Sequence, residues 1–308
     1  MARLAGEQGI FATGSILKYL LSEKKLNSAL NLFNDMKKRG QRPDGRVLNI
    51  LFTGFANSMD RSSPSKSDKI SEGKAEALFA IFSKTLENDP SSVSIVHVNS
   101  LLKVFRSAGK TDLSIQLFDK VSALNKKQLE PDVRTYTEMF SSLRSYSSDF
   151  QTAVKKTEEL FSRVQKDSTV RIDPQLMRSY SSVFIFANDP RLNARAITIL
   201  REWYRICSMT AIKQHIDWKT YKKAIFKKGP RKIGHDVDVE EEILLPLSEV
   251  NYKKTKRFEP DETITRRYAS LCDLFGIEND YKPRKVEPGS GNEAIASHGR
   301  LENFVEHP

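Results

Sequence analysis

Residues 28–44 read SALNLFNDMKKRGQRPD, a stretch that combines a helical pattern with a turn. Ala29 is followed three, four and seven positions later by apolar residues, so these side chains lie on one face of a helix. The small alanine lets a neighbouring helix approach closely. Pro43 ends the pattern, because proline lacks a backbone N–H and disfavours helix in the residue before it. Asp44 then suits the start of a new helix.

Both signatures recur along the chain. A proline followed by a polar residue precedes a helical segment at Pro43-Asp44, Pro90-Ser91, Pro131-Asp132 and Pro174-Gln175, at spacings of 47, 41 and 43 residues. The small residue with its apolar followers recurs at Ala29, Ala75, Ser114, Thr157 and Ala196. A helical hairpin of this kind cannot bury both faces alone and stacks on the next one. The pattern therefore predicts an all-α solenoid.

The repeat period divides the chain into four parts. Residues 1–9 are predicted to form an N-terminal extension, and residues 10–203 about five degenerate repeats. A Ser/Lys/Asp-rich stretch at 57–73 reads as an inserted loop. We expect a basic, helical C-terminal region or cap at 204–280, and a disordered tail at 281–308 because that segment has little periodicity.

Composition and motif content exclude several classes of protein. Among the 308 residues no apolar run approaches the roughly 18 that a membrane span needs. Two cysteines, Cys207 and Cys272, are too few for a disulfide scaffold or a four-cysteine zinc site. The five histidines do not fall at metal-ligand spacing, and no phosphate-binding glycine loop or nucleophile elbow is present. We therefore expect no enzyme activity, metal, cofactor or small-molecule substrate.

The charge balance points to a polyanionic partner. The formal net charge is +11 at pH 7, which favours nucleic acid or a membrane surface. Lysines are dense at residues 213–232, and residues 253–257 form a second basic run. Both segments are candidates for neutralising phosphates, and the alternative is a solvated helix face. The candidate phosphate-binding lysines are Lys222, Lys223, Lys227 and Lys228.

These residues resemble those of a known family. Residues 28–44 closely resemble the second half of a pentatricopeptide repeat, and residues 130–143 resemble the junction into the next repeat. Gly109 matches the glycine turn between the two helices of the motif. The resemblance implies a right-handed α-solenoid of stacked hairpins. Because the family repeat is about 35 residues long, the longer spacings here are similar to the divergent repeats of fungal or animal organelle proteins.

The resemblance also implies candidate base-reading residues. Proteins of this class read one RNA base per repeat with two or three side chains. The pairs carried over from the family pattern are Asn49 with Ser91, Asn99 with Asp132, and Thr137 with Gln175. In the family, the combination of Asn99 with Asp132 prefers uracil and that of Asn49 with Ser91 leans to cytosine. The first repeat offers Gly14, which has no side chain, with Asp44.

A third position in each repeat is expected to hold bases by packing between them. It lies three residues before the specificity residue and is occupied by Arg46, Val96 and Arg134. The family favours an aliphatic residue here, but a guanidinium plane can stack on a base or bind a phosphate. One alternative remains open at this stage, namely that Asn49 and Asn99 are only polar groups near helix ends.

Two functions are consistent with these features of the sequence. The first is a non-catalytic protein of the mitochondrial matrix that reads single-stranded RNA and acts in RNA processing, stability or translation. Its partner would be a mitochondrial transcript or ribosomal RNA, although residues 1–20 show no clear presequence. The second is a protein-interaction scaffold, or a structural component of the mitochondrial small ribosomal subunit.

Overall fold

The computed structural model describes residues 2–58, 72–146, 150–187, 189–207, 216 and 257–281. These residues form eleven α-helices, which are numbered here in chain order. They are α1 (Ala2–Ser22), α2 (Leu26–Lys38), α3 (Gly45–Asn57), α4 (Glu72–Asn88), α5 (Ile95–Ala108), α6 (Thr111–Ala123), α7 (Val133–Leu143), α8 (Phe150–Lys166), α9 (Pro174–Ile185), α10 (Pro190–Trp203) and α11 (Glu262–Phe275).

Helices α1 to α10 form five consecutive pairs in two layers. The odd-numbered helices pack side by side in one row, each against the next from α1 to α9. The even-numbered helices pack onto this row: α2 on α1, α4 on α5, α6 on α5 and α7, α8 on α7 and α9, and α10 on α9. The predicted all-α solenoid of stacked helical hairpins is confirmed.

The small residues of the repeated signature lie where the two layers meet. All five are 0% exposed: Ala29, Ala75, Ser114, Thr157 and Ala196. The apolar residues seven positions later are also buried: Met36, Phe82, Val121, Val164 and Trp203. Burying one large apolar side chain contributes about 1.5–3 kcal/mol, so this repeated stripe supplies much of the driving force for stacking.

Aromatic pairs join successive units. An even-numbered helix of one pair contacts the next odd-numbered helix through Phe79 and Phe105, Phe118 and Tyr136, and Phe161 and Tyr180, with ring centroids 6.0, 5.8 and 4.0 Å apart. Such pairs add about 0.5–1.5 kcal/mol beyond their area burial. Each of these three boundaries therefore carries one specific contact in addition to the aliphatic core.

At the N-terminus, helix α1 begins at Ala2, so residues 2–9 are continuous with the first helix. Most of the predicted loop at 57–73, and the predicted tail from residue 282 onward, lie outside the described residues.

Helix α11 lies within the predicted cap region and packs on α9 and α10. The chain at residue 258 pairs with the end of α10. The N–H of Phe258 donates to the carbonyl of Trp203 at 2.8 Å, and the N–H of Arg205 donates to the carbonyl of Phe258 at 2.9 Å. The rings of Trp203 and Phe258 stack with centroids 6.3 Å apart. This junction closes the exposed end of the last helix pair.

Arg257, the last residue of the basic run at 253–257, forms hydrogen bonds at this junction. The guanidinium of Arg257 donates to the carbonyls of Arg201 at 2.9 Å, Tyr204 at 3.0 Å and Cys207 at 3.1 Å. These carbonyls belong to the end of α10 and the residues after it, where unpaired carbonyl groups need donors. These bonds use Nε and Nη2 of Arg257, so in this structure the residue holds the junction together.

Gly109 ends α5 in the left-handed region, at φ +72°. Gly109→Ala is expected to lower the free energy of unfolding by about 1 kcal/mol, because a side chain raises the energy of this conformation. Urea denaturation measures the change. Gly73→Ala is the matched control, since Gly73 lies in α4 with no atom within 4 Å of an added Cβ. A loss in the control as large as in Gly109→Ala would contradict the argument.

Candidate nucleic-acid interface

The candidate interface lies at the starts of the odd-numbered helices. Four of these starts have a polar N-cap residue just before the helix: Asp44 for α3, Ser94 for α5, Asp132 for α7 and Asp173 for α9. The three aspartates accept a backbone N–H from the third helical residue at 2.7–2.8 Å. Counting from these caps gives structurally equivalent positions in successive units.

Equivalent side chains form an exposed row at the second helical position, which we call the second-position row. Its members are Arg46, Val96, Arg134 and Gln175. All four are exposed, and Val96 is 53% exposed although it is apolar. The three residues that the sequence assigns to base packing thus occupy one position in successive helices. Two cations and one aliphatic side chain face solvent along a single layer.

The structure changes the register of two predicted pairs. Ser91 lies in a 3₁₀ turn, Pro90–Ser92, and its N–H donates to Asp89 at 3.2 Å, whereas Ser94 caps α5. Gln175 lies inside α9, because Pro174 occupies the first helical position, where its missing N–H leaves no intrahelical bond unmade. The residues equivalent to Asp132 are therefore Ser94 and Asp173, not Ser91 and Gln175.

The third predicted pair is brought together. The amide nitrogen of Asn99 donates to the carboxylate of Asp132 at 3.2 Å, and the hydroxyl of Thr135 donates to the amide oxygen of Asn99 at 2.7 Å. The N–H of Thr135 in turn donates to Asp132 at 2.8 Å. Asn99 lies on α5 and the other two at the start of α7, so the network joins two adjacent units.

This network bears on both interpretations of Asn99. The side chain is only 7% exposed and both of its polar atoms are bonded, as expected for a polar group that fixes one helix on the next. An asparagine amide has two N–H groups and two oxygen lone pairs. The nitrogen also lies 3.4 Å from the second carboxylate oxygen of Asp132, so what the amide retains for a ligand is an oxygen lone pair.

Asn99 is the fifth residue of α5, and the residues at the fifth position of the other odd-numbered helices make different contacts. Asn49 is exposed, and its amide oxygen accepts the hydroxyl of Thr53 at 3.0 Å. The hydroxyl of Thr137 donates to the carbonyl of Val133 at 2.8 Å, which leaves its oxygen as an acceptor. Within the described part of the chain, no hydrogen bond joins Asn49 to Ser91 or Thr137 to Gln175. In α9 the fifth position is Arg178, which pairs with Asp261 before the cap helix.

A cleft between α1 and α3 extends the second-position row toward the N-terminus. Its volume is about 450 Å³, and Phe11, Gly14, Lys18, Asp44 and Arg46 are among its lining residues. Phe11 is 66% exposed. It stands three residues before Gly14, as Arg46 stands three before Asn49. Sequence reasoning missed Phe11, although this spacing was the available signal.

A second exposed aromatic lies near the ends of α7 and α9. Phe186 is 58% exposed, and the guanidinium groups of Arg144 and Arg267 lie 5.3 and 5.4 Å from its ring centroid. Burial and the positive charges of Arg144 and Arg178 lower the pKa of Arg267. These groups are far apart in sequence and come together only because the cap helix packs on α9. No local pattern could therefore have identified them.

His97 fixes the register of α3 and α5. Its Nδ1 accepts the N–H of Ser94 at 2.9 Å, so its Nε2 carries the proton and donates to the carbonyl of Gly45 at 3.0 Å. The ring also meets Phe52 edge-on, with centroids 6.0 Å apart. Burial lowers the pKa of His97, and the hydrogen bond to Gly45 opposes this in part. The neutral imidazole is therefore the form that fits the fold.

We expect stability to fall as the pH drops below the ordinary histidine pKa of 6.5. Because the folded pKa of His97 lies below the unfolded one, the unfolded chain binds more protons in that window. The stabilisation is complete above pH 6.5 and is lost toward the lowered folded pKa. Urea denaturation at pH 7.5, 6.5 and 5.5 measures the slope. In His97→Gln the slope should become shallower, and an unchanged slope would contradict this.

Several predictions lie outside what the structure describes. Lys222, Lys223, Lys227 and Lys228 lie outside the described residues, as do residues 253–256. Within the described ranges, no group of three or more His, Cys, Asp or Glu residues is placed to hold a metal ion. The helices that are described include none long and apolar enough to cross a membrane.

Comparison with known proteins gives a family match at the N-terminal end. The sequence model of the PPR repeat family matches residues 9–57. Pentatricopeptide repeat-containing protein 2, mitochondrial, of Schizosaccharomyces pombe is 35% identical over 57 residues, which are 18% of this chain and 13% of that protein. The crystal structure of nuclear proteinaceous RNase P 2 (PRORP2) from A. thaliana is similar, with a TM-score of 0.49 and 16% identity over 69% of this chain and 43% of that chain. The chain thus spans less than half the length of either protein.

Proposed function

We propose that this chain, whose residues 9–57 match the model of the PPR repeat family, binds single-stranded RNA along the starts of its odd-numbered helices without catalysing a reaction. The observation that carries the proposal is the second-position row, in which equivalent side chains of four successive odd-numbered helices are exposed in one layer. A strand of RNA presents bases at a regular interval, and a regular row of side chains suits such a ligand.

The chemistry of the row supports binding to RNA. Arg46 and Arg134 are exposed guanidinium groups that can stack on a base or pair with a phosphate. Val96 offers an apolar surface between them. At the N-terminal end, Phe11 adds an aromatic ring beside a cleft that a splayed base can enter. The net charge of +11 adds attraction that does not depend on base sequence.

We further propose that the protein acts in mitochondria, on a transcript or on ribosomal RNA, in RNA processing, stability or translation. The support is the relative from Schizosaccharomyces pombe, whose name includes the word mitochondrial. It covers 18% of this chain, so the role in the organelle is proposed from the family and not from the site.

A second function is favoured by one observation. The Asn99 amide is 7% exposed and already bonded to Asp132 and Thr135, which suits a scaffold whose repeat positions hold helices together. Such a scaffold would bind proteins, for example within the mitochondrial small ribosomal subunit. The two functions differ in their dependence on salt, because phosphate contacts release counterions and lose affinity steeply as salt rises.

Arg46→Ala/Arg134→Ala is expected to weaken binding to single-stranded RNA and to flatten its salt dependence. If each guanidinium neutralises one phosphate, the slope of log K against log salt falls in magnitude by about 1.4. Fluorescence anisotropy with RNA enriched from a random pool measures both quantities. The salt concentration is varied between about 50 and 300 mM, because the screening of exposed charges increases over this range.

Lys38→Ala/Arg39→Ala provides the matched control, because it removes two exposed cations from the end of α2, away from the second-position row. It should retain most of the RNA affinity. Equal affinities and slopes for the two double variants would rule out the row as the RNA site. Absence of any RNA enrichment by the wild type would favour the scaffold function.

A further inference from the structure

A larger cleft lies at the first two units, and no residue of the second-position row lines it. Its volume is about 750 Å³, and it forms where the C-terminal ends of α2 and α4 meet the connection between α2 and α3. We call it the α2–α4 cleft. Phe33 and Lys37 line it from α2, Arg42 from the connection, and Lys84 from α4. None of the predicted base-reading or base-packing residues lines it.

The charges lining this cleft are unbalanced. Three cations, Lys37, Arg42 and Lys84, line it together with one carboxylate, Asp89. The oxygens of Asp89 accept hydrogen bonds from the hydroxyls of Ser91 and Ser92, so this carboxylate is directed to the neighbouring 3₁₀ turn. In the part of the chain that the structure describes, none of the three cations forms an ion pair. The cleft therefore has a net positive charge, and its carboxylate is not paired with any of the three cations.

Lys37 combines a contact with an aromatic ring and the influence of a second cation. Its ammonium lies 5.7 Å from the centroid of the Phe33 ring, and that ring is buried. Burial and the charge of Lys84 lower the pKa of Lys37. A bound anion in the cleft would oppose both effects and stabilise the charged form of Lys37.

We propose that the α2–α4 cleft is a phosphate-binding site, with Lys37, Arg42 and Lys84 as its ligands. Ammonium and guanidinium groups are the side chains that bind phosphate oxygens most strongly. The volume lies within the roughly 300–1,000 Å³ usual for small-molecule sites, so more than one phosphate group fits. The site goes beyond the proposed function, since it is formed mainly by even-numbered helices. It includes none of the residues that are predicted to read bases or to pack between them.

The phosphate has two possible sources. The connection between α2 and α3 separates this cleft from the one beside Phe11, because Arg42 lines the first cleft and Asp44 the second. A strand of RNA leaving the second-position row can therefore pass over the connection and place its backbone phosphates in the α2–α4 cleft. A free phosphorylated compound would use the same ligands.

Isothermal titration of the full chain with pyrophosphate, and separately with a single-stranded RNA, tests the site. Lys37→Gln/Lys84→Gln should weaken binding of at least one of the two by about tenfold or more, because it removes two charge-assisted contacts. Lys25→Gln/Lys38→Gln is the matched control, since it removes two exposed lysines at either end of α2. Arg42→Gln provides an independent variant, and thermal melting checks that each variant is folded.

The pattern of losses identifies the source. Weaker pyrophosphate binding with unchanged RNA affinity indicates a free phosphorylated compound, whereas weaker RNA binding indicates the backbone of RNA. The pyrophosphate titration needs no RNA, so it remains decisive even if the chain binds proteins and not RNA. The proposal is overturned if Lys37→Gln/Lys84→Gln and Arg42→Gln bind both ligands as the wild type and the control do, or if the wild type binds neither.

Discussion

Asp132→Ala is expected to lower the free energy of unfolding by about 2–3 kcal/mol. Loss of the N-cap of α7 accounts for about 1 kcal/mol of this. The remainder arises because the substitution leaves the buried amide N–H of Asn99 without its carboxylate acceptor, and an unsatisfied buried polar group costs about 1–3 kcal/mol. Urea denaturation of the full chain measures the change.

The matched control is Asp173→Ala. Asp173 caps α9 through the N–H of Leu176 at 2.7 Å, nearly the same bond that Asp132 makes to Thr135. Among the described residues, no side chain of the preceding odd-numbered helix donates to it. Its replacement should therefore cost about 1 kcal/mol, the value of a cap alone. Equal losses in the two variants would show that the contact with Asn99 contributes nothing measurable.

The contact between Asn99 and Asp132 also determines which variant should be used to test base reading. Because Asn99→Ala or Asp132→Ala removes a contact between units, a loss of RNA binding in either variant could reflect a loosened fold. Asp132→Asn is the better variant, since asparagine caps helices as well as aspartate does. It should leave the stability nearly unchanged. If Asn99 reads a base with Asp132, the base preference at one position should change.

Much of the fold follows from spacing in the sequence. Ala29, Ala75 and Ser114 were singled out because small residues precede apolar pairs at helical spacing, and all three are 0% exposed where the layers meet. This worked because a repeat protein buries the same face in every unit, so one well-formed copy at 28–44 indicates the role of the weaker ones. The even-numbered helices were therefore predictable as packing elements.

The helix starts were less predictable, because a proline does not mark one fixed position. Before α5, the residues Pro90–Ser92 form a separate 3₁₀ turn, whereas Pro174 is the first residue of α9 itself. Both arrangements satisfy the constraint that proline lacks an N–H. Only the hydrogen bonds of the caps distinguish the two arrangements. The predicted residue Ser91 therefore lies before the actual cap, Ser94, and the predicted residue Gln175 lies after the actual cap, Asp173.

Other contacts between distant segments could not be predicted from the sequence. Arg144 and Arg267 are brought to one ring, that of Phe186, by the packing of the cap. The α2–α4 cleft likewise combines cations from two repeats and a connection. Each of these residues has an ordinary local environment in the sequence, and their proximity depends on how successive units stack.

Arg257→Ala is expected to detach the cap helix and to lower the stability of the last unit by about 3 kcal/mol. Its guanidinium donates to the carbonyls of Arg201, Tyr204 and Cys207, and hydrogen bonds that involve a charged group contribute about 1.5–3 kcal/mol each. Part of this is recovered because water can reach the freed carbonyls. Hydrogen exchange should show faster opening of α11 while α1 to α6 remain protected.

Arg205→Ala is the control for this prediction, because it removes an arginine from the same junction. Arg205 pairs with Glu259 at 2.6 Å, but both side chains are largely exposed, and such pairs contribute at most about 1 kcal/mol. The comparison also separates the two roles assigned to the basic run at 253–257. If Arg257 bound a phosphate, its removal would reduce RNA affinity and leave α11 protected. The contacts with the end of α10 require the opposite result, because the charge is already committed to holding the cap in place.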